Sequence, residues 1–260
     1  MKHNIIVIAG TADARHIIHE LAALELNITA TVATWFGKEL LSEHRGIDIR
    51  DGRLDAEEMK KLIGETSADC LVDASHPFAR EVSVNAIKAC SELNVPYIRF
   101  ERQGLENDYG SVIIADDFED AAKKASKYHG NIFLTIGSNN LDHFIKNIAD
   151  FKERLFVRVL PDSRVLSRCE AVGLNPGNII AIKGPFTEEM NIEMLKYTEA
   201  DVIVMKDSGE TGGTFEKISA ARKLGIPVIM VRKPDIQYTN MVSTVDGVTS
   251  FVRKLLIRGR

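Results

Sequence analysis

The chain predicts an α/β fold of two Rossmann-like, doubly wound parallel-sheet domains with a cleft between them. Three observations carry this. Short, solid apolar runs such as "NIIVIAG" read as strands buried on both faces of a parallel sheet. They alternate with helix-period segments through short loops, the pattern of right-handed βαβ units. The sequence also echoes itself roughly 130 residues on, "ADCLVDASHP … VPYIRFER" being answered by "ADVIVMKDSG … IPVIMVRKP".

Taken in order, "NIIVIAG" is the first strand, and Ile17, Ile18, Leu21 and Leu24 recur at helical spacing until Asn27 ends that helix. "ITATVAT" and the weaker "GIDIRDG" are strands, "EEMKKLIGETS" a helix, "DCLVDAS" a strand, "VSVNAIKACSELN" a helix and "VPYIRFE" a strand. The pattern then restarts with "SVIIADD" (strand), "FEDAAKKASKYH" (helix), "NIFLTIG" (strand), a helix near Leu141 to Ile148, and "RLFVRVL" (strand). "NIIAIKG" and "ADVIVMKD" follow as strands around the helix "EEMNIEMLKYT". "FEKISAARKLG" is helical, "IPVIMVRK" a strand, and helical periodicity over Ser250 to Leu256 closes the chain. The expected division is residues 1–110 and 111–260, two Rossmann-like domains. Each half trails a strand–Asp–helix segment, near Val112 and near Val242, and either could complete the other domain's sheet.

The 260 residues are 45% hydrophobic and 27% charged, with a formal net charge of −4. That balance gives no pull toward nucleic acid or an anionic membrane. No apolar run is long enough to span a bilayer, and the start is too short for a signal peptide. Cys70, Cys90 and Cys169 are odd in number and widely spaced, as expected of reduced thiols in the cytoplasm. The histidines lack metal-ligand spacing, so no protein-held metal is expected. No nucleophile elbow is present.

Ligands of open α/β sheets bind at the carboxyl ends of the strands, so residues just after each strand are the candidates. After the first, Gly10 lets backbone approach a ligand, Thr11 can cap the helix, and Arg15 adds charge. The G-x-G-x-x-G register fails, with Ala9 and Thr11 at its first and third positions; the stretch reads as a cofactor loop or as a tight turn. Thr34 with Lys38 stands where an acidic residue would hold an NAD ribose, leaving room for a 2′-phosphate. In "DASHPFAR" the His-Pro pair rigidifies the turn and aims His76 at the cleft, with Ser75 before it and Arg80 a turn on. In the second half, Gly137 and Ser138 repeat the strand–Gly–hydroxyl design. Lys183 follows another strand, and Lys206, Asp207, Ser208 and Gly209 open a Gly-rich loop able to wrap an anion, with Lys217 beyond it.

The ordered set "AGTADAR", "DGRL", "DASHPFA", "VPYIRFER", "LTIGSNNL", "IKGPF", "EEMN" and "KDSGETGGTFEKISAARKLGIPVIMVRKP" resembles the precorrin-6A reductase family of cobalamin biosynthesis, which includes the cobalt-precorrin-6A reductases. Two departures are mild: Ala9 and Asp13 where the family often has Gly and Glu, and Ser75 where it often has Thr. The resemblance implies reduction of the C18–C19 double bond of precorrin-6A or cobalt-precorrin-6A by NADPH or NADH. The cofactor is assigned to the first half, with Gly10, Thr11 and Arg15 at the phosphates, Thr34 near the adenosine ribose, and Ser75 and His76 beside it. The reverse assignment puts it at Gly137 and Ser138. Arg80, Lys183, Lys206, Ser208, Gly209 and Lys217 are expected at the substrate. Arg99, Arg102 and Arg232 add cations near strand ends for the macrocycle's carboxylates. The proton is expected from His76, Asp207 or solvent, in that order. The implied partner is the tetrapyrrole alone, with neither nucleic acid nor membrane, and with product channelling to neighbouring pathway enzymes. The competing readings are a non-catalytic NAD(P)-binding sensor and a tetrapyrrole methyltransferase.

Overall fold

A computed structural model of the chain describes residues 2–42, 46–102, 112–209 and 212–258. The chain divides into two compact units: residues Met1–Gly104 with Pro234–Arg260, and residues Leu105–Lys233.

The first unit contains β1 (Asn4–Ile8), α1 (Ala12–Ala22), β2 (Asn27–Val32), α2 (Trp35–Leu41), β3 (Ile47–Asp51), α3 (Ala56–Thr66), β4 (Cys70–Asp73), α4 (Arg80–Leu93) and β5 (Tyr97–Phe100). The second contains β6 (Val112–Ala115), α5 (Phe118–Ala125), β7 (Asn131–Leu134), α6 (Leu141–Asn147), α7 (Phe151–Arg154) and β8 (Leu155–Val159). It continues with α8 (Ser163–Ala171), β9 (Ile179–Ala181), α9 (Glu188–Tyr197), β10 (Ala200–Lys206), α10 (Thr214–Lys223) and β11 (Val228–Val231). The chain then returns to the first unit as β12 (Met241–Val242) and α11 (Val245–Arg258).

All recorded strand pairings are parallel, and the two sheets have the orders β12-β5-β4-β1-β2-β3 and β6-β11-β10-β7-β8-β9. Within each, five consecutive strands take the 3-2-1-4-5 places of a doubly wound sheet. The sixth place is filled by exchange. β6, which follows β5 in sequence, lies beside β11 in the second unit, while β12, which follows β11, lies beside β5 in the first. The expected boundary that kept 111–260 together is therefore corrected at its far end. The physical cause is an open backbone edge: the N–H groups of Arg99 and Glu101 donate to the carbonyls of Asn240 and Val242 at 2.8 and 2.9 Å.

Helices cover both faces of the first sheet. Ile17, Ile18 and Leu21 of α1 and Val248 and Val252 of α11 pack on Ile5 and Val7. Met59, Leu62 and Ile63 of α3 and Ala86, Ala89 and Cys90 of α4 pack on Ile6 and Ile8. Burying each of the larger aliphatic side chains contributes roughly 1.5–3 kcal/mol, which anchors the strand ends that carry the candidate site. The expected end of α1 shifts: the helix stops at Ala22, Glu25 takes a left-handed φ of 55°, and Asn27 already pairs with Asn4 in the sheet. Among the described residues no helix is long and apolar enough to cross a membrane.

Candidate active site

In the first sheet β1 and β4 lie side by side, and their connections leave in opposite directions, to β2 and to β5. Such a switch point opens a crevice at the carboxyl ends of the strands. Gly10 follows β1 with φ of +131°, and no atom lies within 4 Å of where its Cβ would stand. The left-handed backbone and the open space both suit a ligand in van der Waals contact with the main chain. Thr11 caps α1 by accepting the Ala14 N–H at 3.0 Å and donates its hydroxyl to the Ala74 carbonyl at 3.1 Å. That second bond ties the opening loop to the "DASHP" turn.

Asp13, the carboxylate that would repel a phosphate here, is ion-paired with Arg102. Arg15 reaches the Thr11 carbonyl at 3.5 Å. Thr34 is exposed and caps α2 through the Gly37 N–H at 3.1 Å. Lys38, read from sequence as a cation for a 2′-phosphate, pairs instead with Asp51 at 2.7 Å.

Beneath the "DASHP" turn lies a polar network that sequence reading missed. Asp73, 0% exposed, accepts four hydrogen bonds: the Ser75 N–H (3.0 Å), the Ser83 hydroxyl (2.6 Å), the Tyr97 hydroxyl (2.7 Å) and Arg99 Nη1 (2.9 Å). Burial and the facing carboxylate push the Tyr97 phenol up, so it stays a donor. Arg99, expected from sequence as a strand-end cation for the macrocycle's carboxylates, is 1% exposed and turned to Asp73 instead. Arg102 and Arg232 are likewise engaged, Arg232 with Asp116 at 3.0 Å. Ser75, expected at the cofactor, is 4% exposed and its hydroxyl accepts from Arg99 at 3.0 Å.

His76 is half-buried, and its Nδ1 accepts the Phe78 N–H at 3.1 Å. In the neutral ring that contact puts the proton on Nε2, making Nε2–H a hydrogen-bond donor. Arg80 starts α4 and lines a groove of about 550 Å³ with Val84, Ile87 and Asp235 along the outer side of that helix.

The second sheet repeats the design. Gly137 follows β7 with φ of +77° and no atom within 4 Å of a Cβ position. Ser138 beside it is buried, and Asn139 accepts two contacts from Arg168 at 3.3 Å. At the end of β10, the Gly209 carbonyl accepts the N–H groups of Gly212 and Thr214, closing the Gly-rich loop onto α10. A Cβ on Gly212 would lie 2.1 Å from that of Ser208, so the close approach admits glycine alone. Glu210 and Thr211 of this loop lie outside the described residues.

Lys217 donates Nζ to the Gly212 carbonyl at 2.7 Å and is 6% exposed. Burial first, then Arg158 and Lys206, push its ammonium down to about 7. Arg158 on β8, which sequence reading missed, is 7% exposed, donates to Asn191 Oδ1 at 2.8 Å and lies 4.1 Å over the Phe186 ring. Burial lowers it to about 10, and lowers Lys206 as well. Three cations thus share one strand-end region of this unit. Nearby Asp207 Oδ1, Thr214 Oγ1 and Glu216 Oε2 are buried without a hydrogen-bond partner among the described residues, and such atoms in a native fold commonly meet a ligand or water. Lys183 is exposed after β9. All three cysteines are free and buried, and among the described residues no acidic, His or Cys cluster is placed to hold a metal.

Comparison with known proteins gives this geometry a context. A family model described as "Precorrin-6x reductase CbiJ/CobK" matches residues 4–253. A cobalt-precorrin-6A reductase of Priestia megaterium is 37% identical, the match covering 94% of this chain and 96% of that protein. The cobalt-precorrin-6A reductase of Methanothermobacter thermautotrophicus is 35% identical over 98% of this chain and 86% of that protein. A solved structure, "CobK precorrin-6A reductase", superposes with a TM-score of 0.79 at 22% identity, covering 97% of each chain, and shares the two-sheet fold. This chain belongs to the precorrin-6x reductase CbiJ/CobK family and is an oxidoreductase of cobalamin biosynthesis.

Proposed function

We propose that the chain reduces the C18–C19 double bond of precorrin-6A, or of its cobalt-bearing form, with NADPH or NADH. The observation that carries the cofactor assignment is the Thr11–Ala74 hydrogen bond, which joins the Gly10 loop and the His76 turn at the switch point. The residues there fit a dinucleotide: an open left-handed glycine, a capped helix start, Arg15, and an acid already neutralised by Arg102. Gly10, Thr11 and Arg15 would hold the phosphates and Thr34 the adenosine ribose. When bound, the dihydronicotinamide supplies the hydride. Gly137 supports the reverse assignment through the same open left-handed geometry, with the buried Ser138 beside it.

His76 meets a ligand oxygen through Nε2–H. Because Nδ1 already accepts from Phe78, the proton for the second carbon is assigned to solvent ahead of His76 and Asp207. Lys183, Lys206, Ser208, Gly209 and Lys217, joined by Arg158, receive the acetate and propionate carboxylates. Arg80 is assigned to the same task. Any cobalt is held by the macrocycle, as part of the substrate. Buried reduced thiols suit the cytoplasm as the site of action.

Anaerobic mixing with NADPH or NADH and each form of precorrin-6A should deplete the nicotinamide absorbance only when macrocycle is present. No depletion with either form overturns this reading in favour of a nucleotide sensor. Label transfer from S-adenosylmethionine would replace it with a methyltransferase. Gly10→Val tests which unit holds the cofactor. It strains the backbone and fills the open space, and the nucleotide KM should rise by roughly tenfold or more with little change in macrocycle KM. An unchanged nucleotide KM would move the assignment to Gly137.

A further inference from the structure

We propose that Arg99, held by Asp73 and roofed by Tyr238, is a positioning residue for the turn that bears His76. A side chain carried back from beyond the second unit thereby completes the candidate site of the first. The inference rests on reading His76 as a ligand-contacting residue.

The register of β4 against β5 sets Asp73 beside Arg99. Arg99 Nη1 donates to both Asp73 Oδ1 (2.9 Å) and Ser75 Oγ (3.0 Å), while Nε donates to Glu101 Oε2 (3.2 Å). The Ser75 N–H returns to Asp73 Oδ1, so main chain and side chain of the residue before His76 are both tied to the ion pair. Downstream, the His76 carbonyl accepts the Ala79 N–H at 2.7 Å. The turn is therefore pinned on both sides, from below by a charge pair and from the front by the helix start.

A buried charge pair holds a fixed geometry only while water is kept from its remaining donors. Tyr238 supplies that cover, its ring lying 5.4 Å from the guanidinium carbon. It sits on the segment that leads into β12, and Asn240 fixes that segment by donating to the Tyr97 carbonyl at 3.0 Å. The strand exchange thus makes the site of the first unit depend on residues that follow the second.

Four single variants of the full chain test this. Ser75→Ala cuts the link while leaving the Asp73–Arg99 pair, and Ser75→Thr restores a hydroxyl. Tyr238→Leu removes the aromatic cover, and Tyr238→Phe keeps it. The readouts are the ring ¹⁵N shifts of His76 in ¹⁵N-histidine-labelled protein, with kcat and KM for NADPH and cobalt-precorrin-6A. Ser75→Ala and Tyr238→Leu should shift His76 away from the pure Nε2–H tautomer and lower kcat about tenfold with KM within about twofold. Ser75→Thr and Tyr238→Phe should resemble the parent. His76 ring shifts unchanged in both disruptive variants overturn the proposal. Shifts that move while kcat holds leave the positioning intact and instead overturn the reading of His76 as a ligand contact. Ser75→Ala deletes one small hydroxyl, so its outcome decides the matter even if Tyr238→Leu fails to fold.

Discussion

Asp73→Ala is expected to lower the stability of the first unit by roughly 3–5 kcal/mol, the range for removing one partner of a buried ion pair. The loss exceeds one hydrogen bond because four donors converge on this carboxylate, all on residues with almost no access to water. Arg99 would keep its charge at 1% exposure, with Glu101 at 3.2 Å its remaining carboxylate partner among the described residues. Asp73→Asn retains the shape and one acceptor oxygen and should cost less, because the Tyr97 and Ser83 hydroxyls can still find an acceptor. Replacing the pair together, as Asp73→Leu with Arg99→Met, should recover much of the loss, since an apolar pair leaves no orphaned charge. Urea unfolding followed by signals assigned to each unit measures this. A loss below about 1 kcal/mol in Asp73→Ala would mean the network does not hold the sheet end, given typical values for a lone hydrogen bond.

Much of the architecture was legible because parallel strands buried on both faces read as solid apolar runs, and those runs lie where β1, β2, β4, β5, β7, β10 and β11 stand. Weakly patterned elements escaped. α2 spans seven residues interrupted by Gly37, and α8 buries only Cys169, so neither gives a helical apolar stripe. The start of α11 at Val245 was missed for a similar reason, since polar Asp246 and Gly247 open it. The sixth-strand exchange was visible as a choice but not as an answer, because two strand–Asp–helix segments of like pattern compete for two sheet edges.

Within the candidate site, the strand-end rule singles out Gly10, Thr11 and His76 as candidates, because their positions after strands follow from local order alone. It could not find Asp73 and Arg99 as partners, because their meeting depends on β4 pairing with β5 in one register. The signal present was a charge inside each of two apolar runs, "CLVD" and "YIRF", and the same oddity marked Arg158 in "LFVRV". A charge in a doubly buried strand announces a partner without naming it. Reading Arg99 as a strand-end cation for the macrocycle's carboxylates left that desolvation out of account.

Lys217→Met should stabilise the second unit at neutral pH and weaken macrocycle binding, with opposite signs that separate fold from function. Burial, then Arg158 and Lys206, bring the Lys217 ammonium from an ordinary 10.5 down to about 7. Between those values the unfolded chain holds a proton that the folded one has released, so stability rises with pH across the window. It is lowest and flat below about pH 7, where the folded protein carries the buried charge. At about 1.4 kcal/mol per pH unit, less about 1 kcal/mol for the lost bond to the Gly212 carbonyl, the gain at pH 7 is roughly 2–4 kcal/mol. Thermal unfolding from pH 6 to 10 should show a rising second-unit Tm in the parent and a shallower rise in Lys217→Met, where only the lowered Lys206 and Arg158 remain. Binding reverses the balance. A macrocycle carboxylate beside Nζ restores the ammonium, so association above pH 7 takes up a proton and KM climbs as pH rises. Calorimetry in two buffers of different ionisation enthalpy reads that uptake directly in the parent, and it should shrink in Lys217→Met to whatever Lys206 contributes. Equal heats in both buffers for the parent would mean that no ligand anion reaches Lys217, and the carboxylate assignment on this loop would fall to Lys183 and Lys206 alone.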